Sequence, residues 1–266
     1  MKIDALTRKS HFWNEDRFIL GNNYYLVIDG ATPLIKNKGH NLACYMVKYI
    51  KKNIHKYNGS IKTRLEMLSS DIYKSLKTLS DDTAYLPSAS LSYVEDKGDE
   101  YEIGIVGDCE AVVKKVDGEI IRCYDDSLSK LDDFALSKMI EIAKEKNIDI
   151  VDARPFINDI LIENRRLQNK ENGYNAYTVL PNFSLNELKF KFKKSDVSEI
   201  YLYSDGFSDA FTSLGIYSSY EEMFKNSIDI KEEVNKIKMA SYNDSKCNKN
   251  PRFKVIDDIT IVKIVK

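Results

Sequence analysis

The sequence predicts a mixed α+β domain in which antiparallel strands predominate. Between residues 89 and 124, four segments with alternating apolar residues are separated by turn signals such as Asp117-Gly118, which is typical of an antiparallel meander. In other regions, apolar residues recur every three or four positions, the spacing of a helix with one buried face. Because no internal repeat or flexible linker interrupts the chain, we expect residues 1–266 to form a single domain.

The N-terminal half begins with strands and continues with helices. The turn signal Gly21-Asn22-Asn23 separates two segments rich in aromatic and β-branched residues. Apolar stripes with lysines on the opposite face follow Gly39 and Gly59. These patterns predict strands over 17–20 and 24–29, helices over 42–54 and 61–79, and then the meander 89–124.

The C-terminal half starts with helical spacing, and its last segment is a strand. The patterns predict a helix over 131–146, strands over 188–192, 199–204 and 259–265, and helices over 206–212, 219–226 and 230–240. The stretch 147–185 has no clear period, although it contains a short helical segment with Arg165 and Arg166 and a turn at Gly173.

Composition excludes several classes of protein. The 266 residues carry 40 Lys and Arg against 41 Asp and Glu, whereas a generally basic nucleic-acid binder needs surplus cations to neutralise phosphates. The 43% of hydrophobic residues argue against a disordered acidic protein. No apolar run reaches the roughly 20 residues that span a membrane, and the first residues lack the apolar core of a signal peptide. We therefore expect a cytoplasmic protein that binds neither nucleic acid nor membranes.

The cysteines indicate a reducing compartment and no cysteine-based chemistry. Cys44, Cys109, Cys123 and Cys247 are scattered without a CxxC pair, as expected for buried, inert thiols. The segment from Cys247 to Arg252 is one residue shorter than the Cys-x5-Arg loop of cysteine phosphatases and lacks glycine. We interpret Cys247 as a thiol in a surface loop.

Acidic residues recur where predicted strands begin or end. They are Glu15, Asp16, Asp29, Asp108, Asp205, Asp257 and Asp258. Carboxylates at strand ends can converge on one edge of a sheet sandwich, yet two of them about 4 Å apart repel by roughly 4 kcal/mol at an effective dielectric constant near 20. Convergence therefore requires protons or cations, and oxygen ligands without His or Cys select Mg²⁺ or Mn²⁺, with Ca²⁺ also compatible. A single Asp-Gly pair is more often a simple turn, which is how we interpret Asp117-Gly118.

Five motifs containing these acids resemble one protein family. In chain order they are NED (14–16), VIDGAT (27–32), VGD (106–108), YSDGFSDAF (203–211) and DDITIV (257–262). In order and approximate spacing they resemble the metal-dependent serine/threonine protein phosphatases, the PPM or type 2C family, from Glu15 to Val262. The resemblance implies a four-layer α-β-β-α sandwich of two antiparallel sheets flanked by helices, with a metal centre at one end. A variable flap beside that centre would fall at about 147–185.

The same resemblance implies a metal-binding role for five residues. Asp29 would bridge two Mn²⁺ or Mg²⁺ ions, and the Gly30 carbonyl would bind one of them. Glu15 would contact the second ion, and Asp205 and Asp257 would hold the first. Catalysis would then depend on Asp29, Asp205 and Asp257, with a water between the ions attacking phosphorus directly.

Further acids would surround this pair of ions. By resemblance, Asp108 together with Asp205 would hold the third ion of bacterial-type members. Asp16, Asp209 and Asp258 would lie outside the ligands and support the bound waters.

The sequence departs from the family pattern where substrate would bind. His11 stands where members often carry a phosphate-binding Arg; His11 itself, Arg8 or Arg17 could serve instead, or the contact could be missing. Ala31 replaces the general-acid His of the eukaryotic branch. Asp258 stands where Asn is usual, and its extra charge could raise metal affinity or simply face solvent.

Basic residues in two loops leave substrate recognition open. Arg154, Arg165 and Arg166 could contact a phosphorylated substrate, because guanidinium groups pair with phosphate, or they could be solvated or ion-paired at the surface. The basic loop 246–254 is interpreted as solvated.

The leading hypothesis is a metal-dependent phosphatase that hydrolyses phosphoserine and phosphothreonine in proteins. Its partner would be a phosphorylated protein, the substrate of an opposing serine/threonine kinase, and we expect a monomer. Two alternatives remain open: a pseudophosphatase that binds a phosphorylated partner without turnover, and a hydrolase of small phosphate esters.

Overall fold

Two antiparallel sheets form the framework of the protein in the computed structural model, which describes residues 1–35, 41–76 and 82–266. In spatial order, the first sheet contains β1 (Lys2–Arg8), β11 (Ile259–Val265), β10 (Val197–Tyr203), β6 (Glu110–Lys115) and β7 (Ile120–Cys123). The second contains β2 (Asp16–Leu20), β3 (Tyr24–Ala31), β4 (Ser88–Asp96), β5 (Glu100–Val106) and β9 (Leu188–Lys193), and the short β8 (Tyr177–Thr178) pairs with β4.

Seven α-helices accompany these sheets in the described part of the chain. They are α1 (Leu42–Asn53), α2 (Ile61–Ser75), α3 (Ser129–Lys146), α4 (Asn158–Arg166), α5 (Asp205–Thr212), α6 (Tyr220–Phe224) and α7 (Ile230–Asn243). Shorter 3-10 helices cover Ile54–Lys56, Thr83–Tyr85, Ile150–Ile157 and Lys194–Asp196. The predicted α+β class is confirmed. Helix α2 ends before Leu79, the last residue of its predicted stripe, which lies outside the described residues.

The alternation of side chains along the strands explains how the layers stack. In β3, Val27 points into an apolar core between the two sheets, whereas its neighbour Leu26 packs against α1 and α2. In β10, Leu202 belongs to the core between the sheets, and Tyr203 packs against α5 and α6. Each sheet is therefore covered on one face by the other sheet and on the opposite face by helices.

The segment 89–124 corrects the prediction of one continuous meander. β4 pairs with β5 and β6 pairs with β7, but the two pairs belong to different sheets. The chain crosses from one sheet to the other between Val106 and Glu110. Alternation identifies a strand and its buried face, yet it does not identify the partner strand, which is why the crossing was not predicted. The crossing leaves Asp108 at the edge of the sandwich.

The N-terminal strand β1 was also not predicted. Its sequence KIDALTR has a charged residue at both ends and in the middle, and most of its residues are only half-buried. It forms the edge of the first sheet, where it pairs with β11 in a register that joins Lys2 to Val265. Edge strands accept such charged residues because one side remains open to water.

Burial corrects the interpretation of one cysteine. All four cysteines are buried free thiols, including Cys247, whose Sγ lies 3.6 Å from the carbonyl oxygen of Lys254. Cys247 is therefore not a surface thiol. Across the described residues, no helix is both long and apolar enough to span a membrane.

Candidate metal centre

Strands β2 and β3 bring the first two acids together. Asp16 lies directly opposite Asp29 in the antiparallel register, so their side chains share one face of the sheet. The Asp16 side chain is fully buried, and its Oδ2 accepts a hydrogen bond of 2.7 Å from the Ser204 hydroxyl. Its Oδ1 has no hydrogen-bond partner among the described residues. A buried carboxylate oxygen without a donor is costly, and a cation could satisfy it.

Gly30 lets the preceding loop approach β3 closely. Its amide donates a hydrogen bond of 3.2 Å to the carbonyl oxygen of Glu15, and a Cβ at this position would lie 2.8 Å from that oxygen. The Glu15 carboxylate turns towards Thr32 and Asn41, whose side chains donate to its Oε1 at 2.5 Å each. The structure therefore holds Glu15 against the end of β3, beside Asp29.

Asp108 and Asp205 approach the same edge from the chain crossing and from the start of α5. The Asp108 amide donates to the Ser90 hydroxyl at 3.2 Å, and Ser90 pairs with Asp29 across β3 and β4. Oδ1 of Asp205 is buried without a hydrogen-bond partner among the described residues. Gly206 permits this turn, because a Cβ there would lie 2.1 Å from the carbonyl oxygen of Asp258.

Asp258 fixes the loop that carries Glu15. It is 5% exposed, and its carboxylate accepts hydrogen bonds from the Ser10 amide and hydroxyl at 2.6 and 2.8 Å and from the Glu15 amide at 2.6 Å. The alternative in which Asp258 faces solvent is therefore wrong. Asn in its place would offer one acceptor oxygen for these three donors, so the acidic side chain has a structural reason here.

The pKa shifts indicate that the acids lie within electrostatic range of one another. Burial raises the pKa of Asp29 well above its usual value, and the negative charges of Asp16, Asp205, Asp108 and Asp257 add to the effect. Burial likewise raises the pKa of Asp205, with further contributions from Asp257 and Asp108. The predicted strand-end acids thus converge on one end of the sandwich.

Other acids beside this cluster are also perturbed. Burial and the charges of Asp257 and Asp258 raise the pKa of Asp16 to about 7, although the Ser204 hydroxyl donates to it. Burial and the charge of Asp257 raise the pKa of Asp209 to about 6, although the Ser213 hydroxyl donates to it. In the first turn of α3, burial and the charge of Asp108 raise the pKa of Asp132 to about 7. The sequence analysis missed Asp132, because an acid in the first turn of a helix usually serves only the helix dipole.

The donor chemistry of this cluster fits hard divalent cations. Within residues 1–35, 41–76 and 82–266, no three acidic, His or Cys side chains form a complete metal-binding group. However, the side-chain atoms that converge here are all oxygens. Two of them, Oδ1 of Asp16 and Oδ1 of Asp205, accept no hydrogen bond from the described residues. Mg²⁺ and Mn²⁺ prefer such oxygen ligands and relieve the mutual repulsion of the carboxylates.

Lys254 is an unexpected cation in the cluster. Its ammonium contacts Oδ2 of Asp257, although its side chain is 55% exposed. Burial of the ammonium opposes its charge, but Asp257 and Asp205 raise its pKa overall. The loop 246–254 was interpreted as solvated, and Lys254 is indeed exposed, but it also contacts a predicted metal ligand. Its position three residues before a predicted metal ligand was the available signal.

The residues predicted to bind phosphate lie in different surroundings. His11 and Arg8 are exposed, and Arg17 donates to the carbonyl oxygens of Asn14 and Asp16 at 2.9 and 2.5 Å. Arg17 is thus engaged with the backbone of β2 and its preceding loop.

Two arginines of the predicted flap line a pocket beside the acids. This pocket has a volume of about 210 Å³, and Asp108 and Asp205 form part of its wall together with Arg154 and Arg165. Arg166 is instead ion-paired with Asp82 at 2.9 Å and with Glu163 at 2.6 Å. Of the three flap arginines, two therefore face the candidate site and one belongs to a surface ion pair.

Solved structures of bacterial serine/threonine phosphatases share this architecture. Stp1 of Staphylococcus aureus gives a TM-score of 0.58 at 14% identity, covering 100% of this chain and 94% of its own. PstP of Mycobacterium tuberculosis gives 0.56 at 15% identity, covering 98% and 97%. The catalytic domain of PstP in complex with 2 manganese ions gives 0.56 at 13% identity, covering 98% and 96%.

Sequence comparison alone does not find these relatives. No protein-family model matches the chain, and no curated protein matches it significantly. At such low identity, structural similarity establishes the fold and leaves the activity to be argued from the site. Over its full length, the chain has the fold of the bacterial PPM serine/threonine phosphatases.

Proposed function

We propose that this protein is a metal-dependent phosphatase that removes phosphate from phosphoserine and phosphothreonine side chains of proteins. The observation that carries the proposal is the convergence of Asp29, Asp108, Asp205 and Asp257 at one end of the sandwich, where burial and the charges of the other three raise the pKa of Asp29. The fold supports it, since one structure that shares the fold was solved with 2 manganese ions.

The chain's own residues would act by holding and orienting two divalent ions. Asp29 would bridge them, and Asp205 and Asp257 would hold the first, as the resemblance implies. When bound, the ions would supply an activated water and neutralise charge on the phosphoryl oxygens. Asp258 keeps the loop before β2 in place through the amide of Glu15, and Ser204 orients the carboxylate of Asp16. No cysteine nucleophile is needed, consistent with four buried thiols.

The test is Mn²⁺-dependent turnover of p-nitrophenyl phosphate and of phosphothreonine peptides. We expect hydrolysis with Mn²⁺ that EDTA abolishes, and a loss of at least about a hundredfold in Asp29→Asn, since this variant removes the charge that would bridge two ions. The matched control is Asp117→Asn, because Asp117 lies in the turn between β6 and β7, where its Oδ1 accepts a hydrogen bond of 3.0 Å from the Glu119 amide. Inactivity of the folded wild-type protein on both substrates, unaffected by metal, would refute the proposal. Turnover of small esters alone would assign the enzyme to small phosphate esters.

One observation favours a second function, a pseudophosphatase that binds phosphorylated partners. The Lys254 ammonium already compensates Asp257, which reduces the need for a metal ion there. Calorimetric titration separates the two functions, since a pseudophosphatase of this kind would bind Mn²⁺ weakly or not at all. Tight binding of two or more Mn²⁺ ions would exclude it.

A further inference from the structure

The pocket beside Asp108 and Asp205 is smaller than pockets that enclose drug-sized ligands. Its volume of about 210 Å³ lies below the roughly 300–1,000 Å³ of pockets that enclose drug-sized molecules. Leu128, Leu161 and Phe253 provide an apolar part of the wall, and Arg154, Arg165 and Lys254 provide its positive charge. A pocket of this size and lining suits one side chain of a larger substrate.

Arg165 is held in position by buried polar groups. Its Nη1 donates to the Ser88 hydroxyl at 3.0 Å, and the same oxygen accepts a hydrogen bond of 2.9 Å from Nε2 of Gln168. Gln168 is only 4% exposed, so this arrangement is part of the protein interior. A guanidinium has five N–H donors, so a fixed Arg165 retains donors for a ligand.

Arg154 has a charge that the described residues leave uncompensated. No described residue accepts a hydrogen bond from its guanidinium or forms an ion pair with it, and burial lowers its pKa. A half-buried cation without a partner is unfavourable, and a carboxylate or phosphate in the pocket would compensate it. Arg166 lies outside the pocket and shows the contrasting case, because it is paired with Asp82 and Glu163.

The acids of the pocket wall do not cancel this requirement. Asp108 and Asp205 belong to the candidate metal centre, where bound cations would neutralise them. Asp132 also lines the pocket, but its electrostatic partner among the arginines is Arg165, so Arg154 remains without one. Lys254 also lines the pocket but contacts Asp257, so among the described cations of the wall Arg154 is the one without a charged partner.

We propose that this pocket binds an acidic side chain of the substrate that lies one or two residues from the phosphorylated residue. The proposal rests on the proposed function and names its substrate class: phosphoproteins with Asp or Glu close to the phosphoserine or phosphothreonine. The spacing follows from the pocket wall, which includes Asp108 and Asp205 of the metal centre, since one or two extended residues span about 3.5 to 7 Å. Arg154 would pair with the carboxylate, and the apolar wall would pack against its methylene groups.

The experiment compares phosphoserine peptides that differ only in Glu or Gln at these neighbouring positions. With Mn²⁺ present, we expect the wild-type protein to favour the best Glu peptide about tenfold in kcat/KM, the value of one charge-assisted hydrogen bond of about 1.4 kcal/mol. In Arg154→Met, which keeps the length of the side chain, this ratio falls to about one. In the control Arg166→Met, which removes an equal charge outside the pocket, the ratio stays near ten.

Binding of the same peptides, followed by fluorescence anisotropy, keeps this test separate from catalysis. Absence of turnover in the wild-type protein would refute the phosphatase function, yet a tenfold preference for Glu in binding would still support the pocket. A wild-type ratio near one in both measurements would overturn the proposal. An unchanged preference in folded Arg154→Met would also overturn it.

Discussion

Two groups of acids in this protein experience opposite electrostatic environments. On the outer face of β5 and β9, Glu102 lies 2.9 Å from Nζ of Lys189 and 3.5 Å from Nζ of Lys191, and Lys189 lowers its pKa. At the end of the sandwich, burial and neighbouring acids raise the pKa of Asp29. The chain has 40 basic residues, yet among the described ion pairs of the cluster acids only that of Lys254 with Asp257 is found. The difference indicates that the first group is balanced by the protein itself, whereas the second leaves its charge for cations or protons from solution.

The largest effect that we expect on stability is that of pH, which changes the free energy of unfolding through the buried acids of the cluster. The pKa of fully buried Asp16 rises from 3.8 to about 7, so between these values the folded protein binds more protons than the unfolded chain. The free energy of unfolding of the metal-free protein must then fall as pH rises through this window. From pH 5 to pH 8, Asp16 alone accounts for about 3 kcal/mol, or roughly 6 to 12 °C in Tm.

Thermal unfolding in EDTA and in Mn²⁺ measures this dependence. Asp16→Asn should flatten the slope in EDTA, because the amide does not titrate. Saturating Mn²⁺ should stabilise the protein more at pH 8 than at pH 5, because the ion competes with protons for the same oxygens. A Tm in EDTA that stays constant or rises from pH 5 to pH 8 contradicts the electrostatic interpretation of the cluster.

The sequence predicted the acids of this cluster better than their surroundings. Asp29, Asp108, Asp205 and Asp257 were identified because strand ends and turn signals are local features of the sequence. The transfer of the chain between sheets at Asp108 was not predictable, because strand pairing depends on contacts distant in sequence. The contact of Lys254 with Asp257 depends on how a loop folds back, which periodicity does not report.

A second prediction concerns Lys254, which gives one acid of the cluster a cationic partner, as the lysines do for Glu102. Its ammonium contacts Oδ2 of Asp257, an oxygen that a metal ion would need. We expect Lys254→Met to bind Mn²⁺ about five- to tenfold more tightly, equivalent to about 1 to 1.4 kcal/mol for a partly exposed ion pair.

Calorimetric titration of Mn²⁺ gives this affinity directly. Lys249→Met is the matched control, since Lys249 is an exposed lysine of the same loop and its removal changes the net charge equally. Equal affinities of the two variants would show that Lys254 acts only through long-range charge, and weaker binding in Lys254→Met would show that it supports the site.

The smallest expected effect comes from Glu102, the acid that is ion-paired with two lysines. Glu102→Gln removes one carboxylate charge from beside Lys189 and Lys191, whose side chains are 42% and 59% exposed. The lysine ends of these pairs are exposed, although the Glu102 side chain is only 12% exposed, so we expect a loss of stability of about 1 kcal/mol by denaturant unfolding, with metal affinity unchanged. High salt should reduce this difference, because it screens the exposed lysine charges. If Glu102→Gln instead changed Mn²⁺ affinity as strongly as Lys254→Met, charge across the whole protein, rather than contact with the cluster, would govern metal binding.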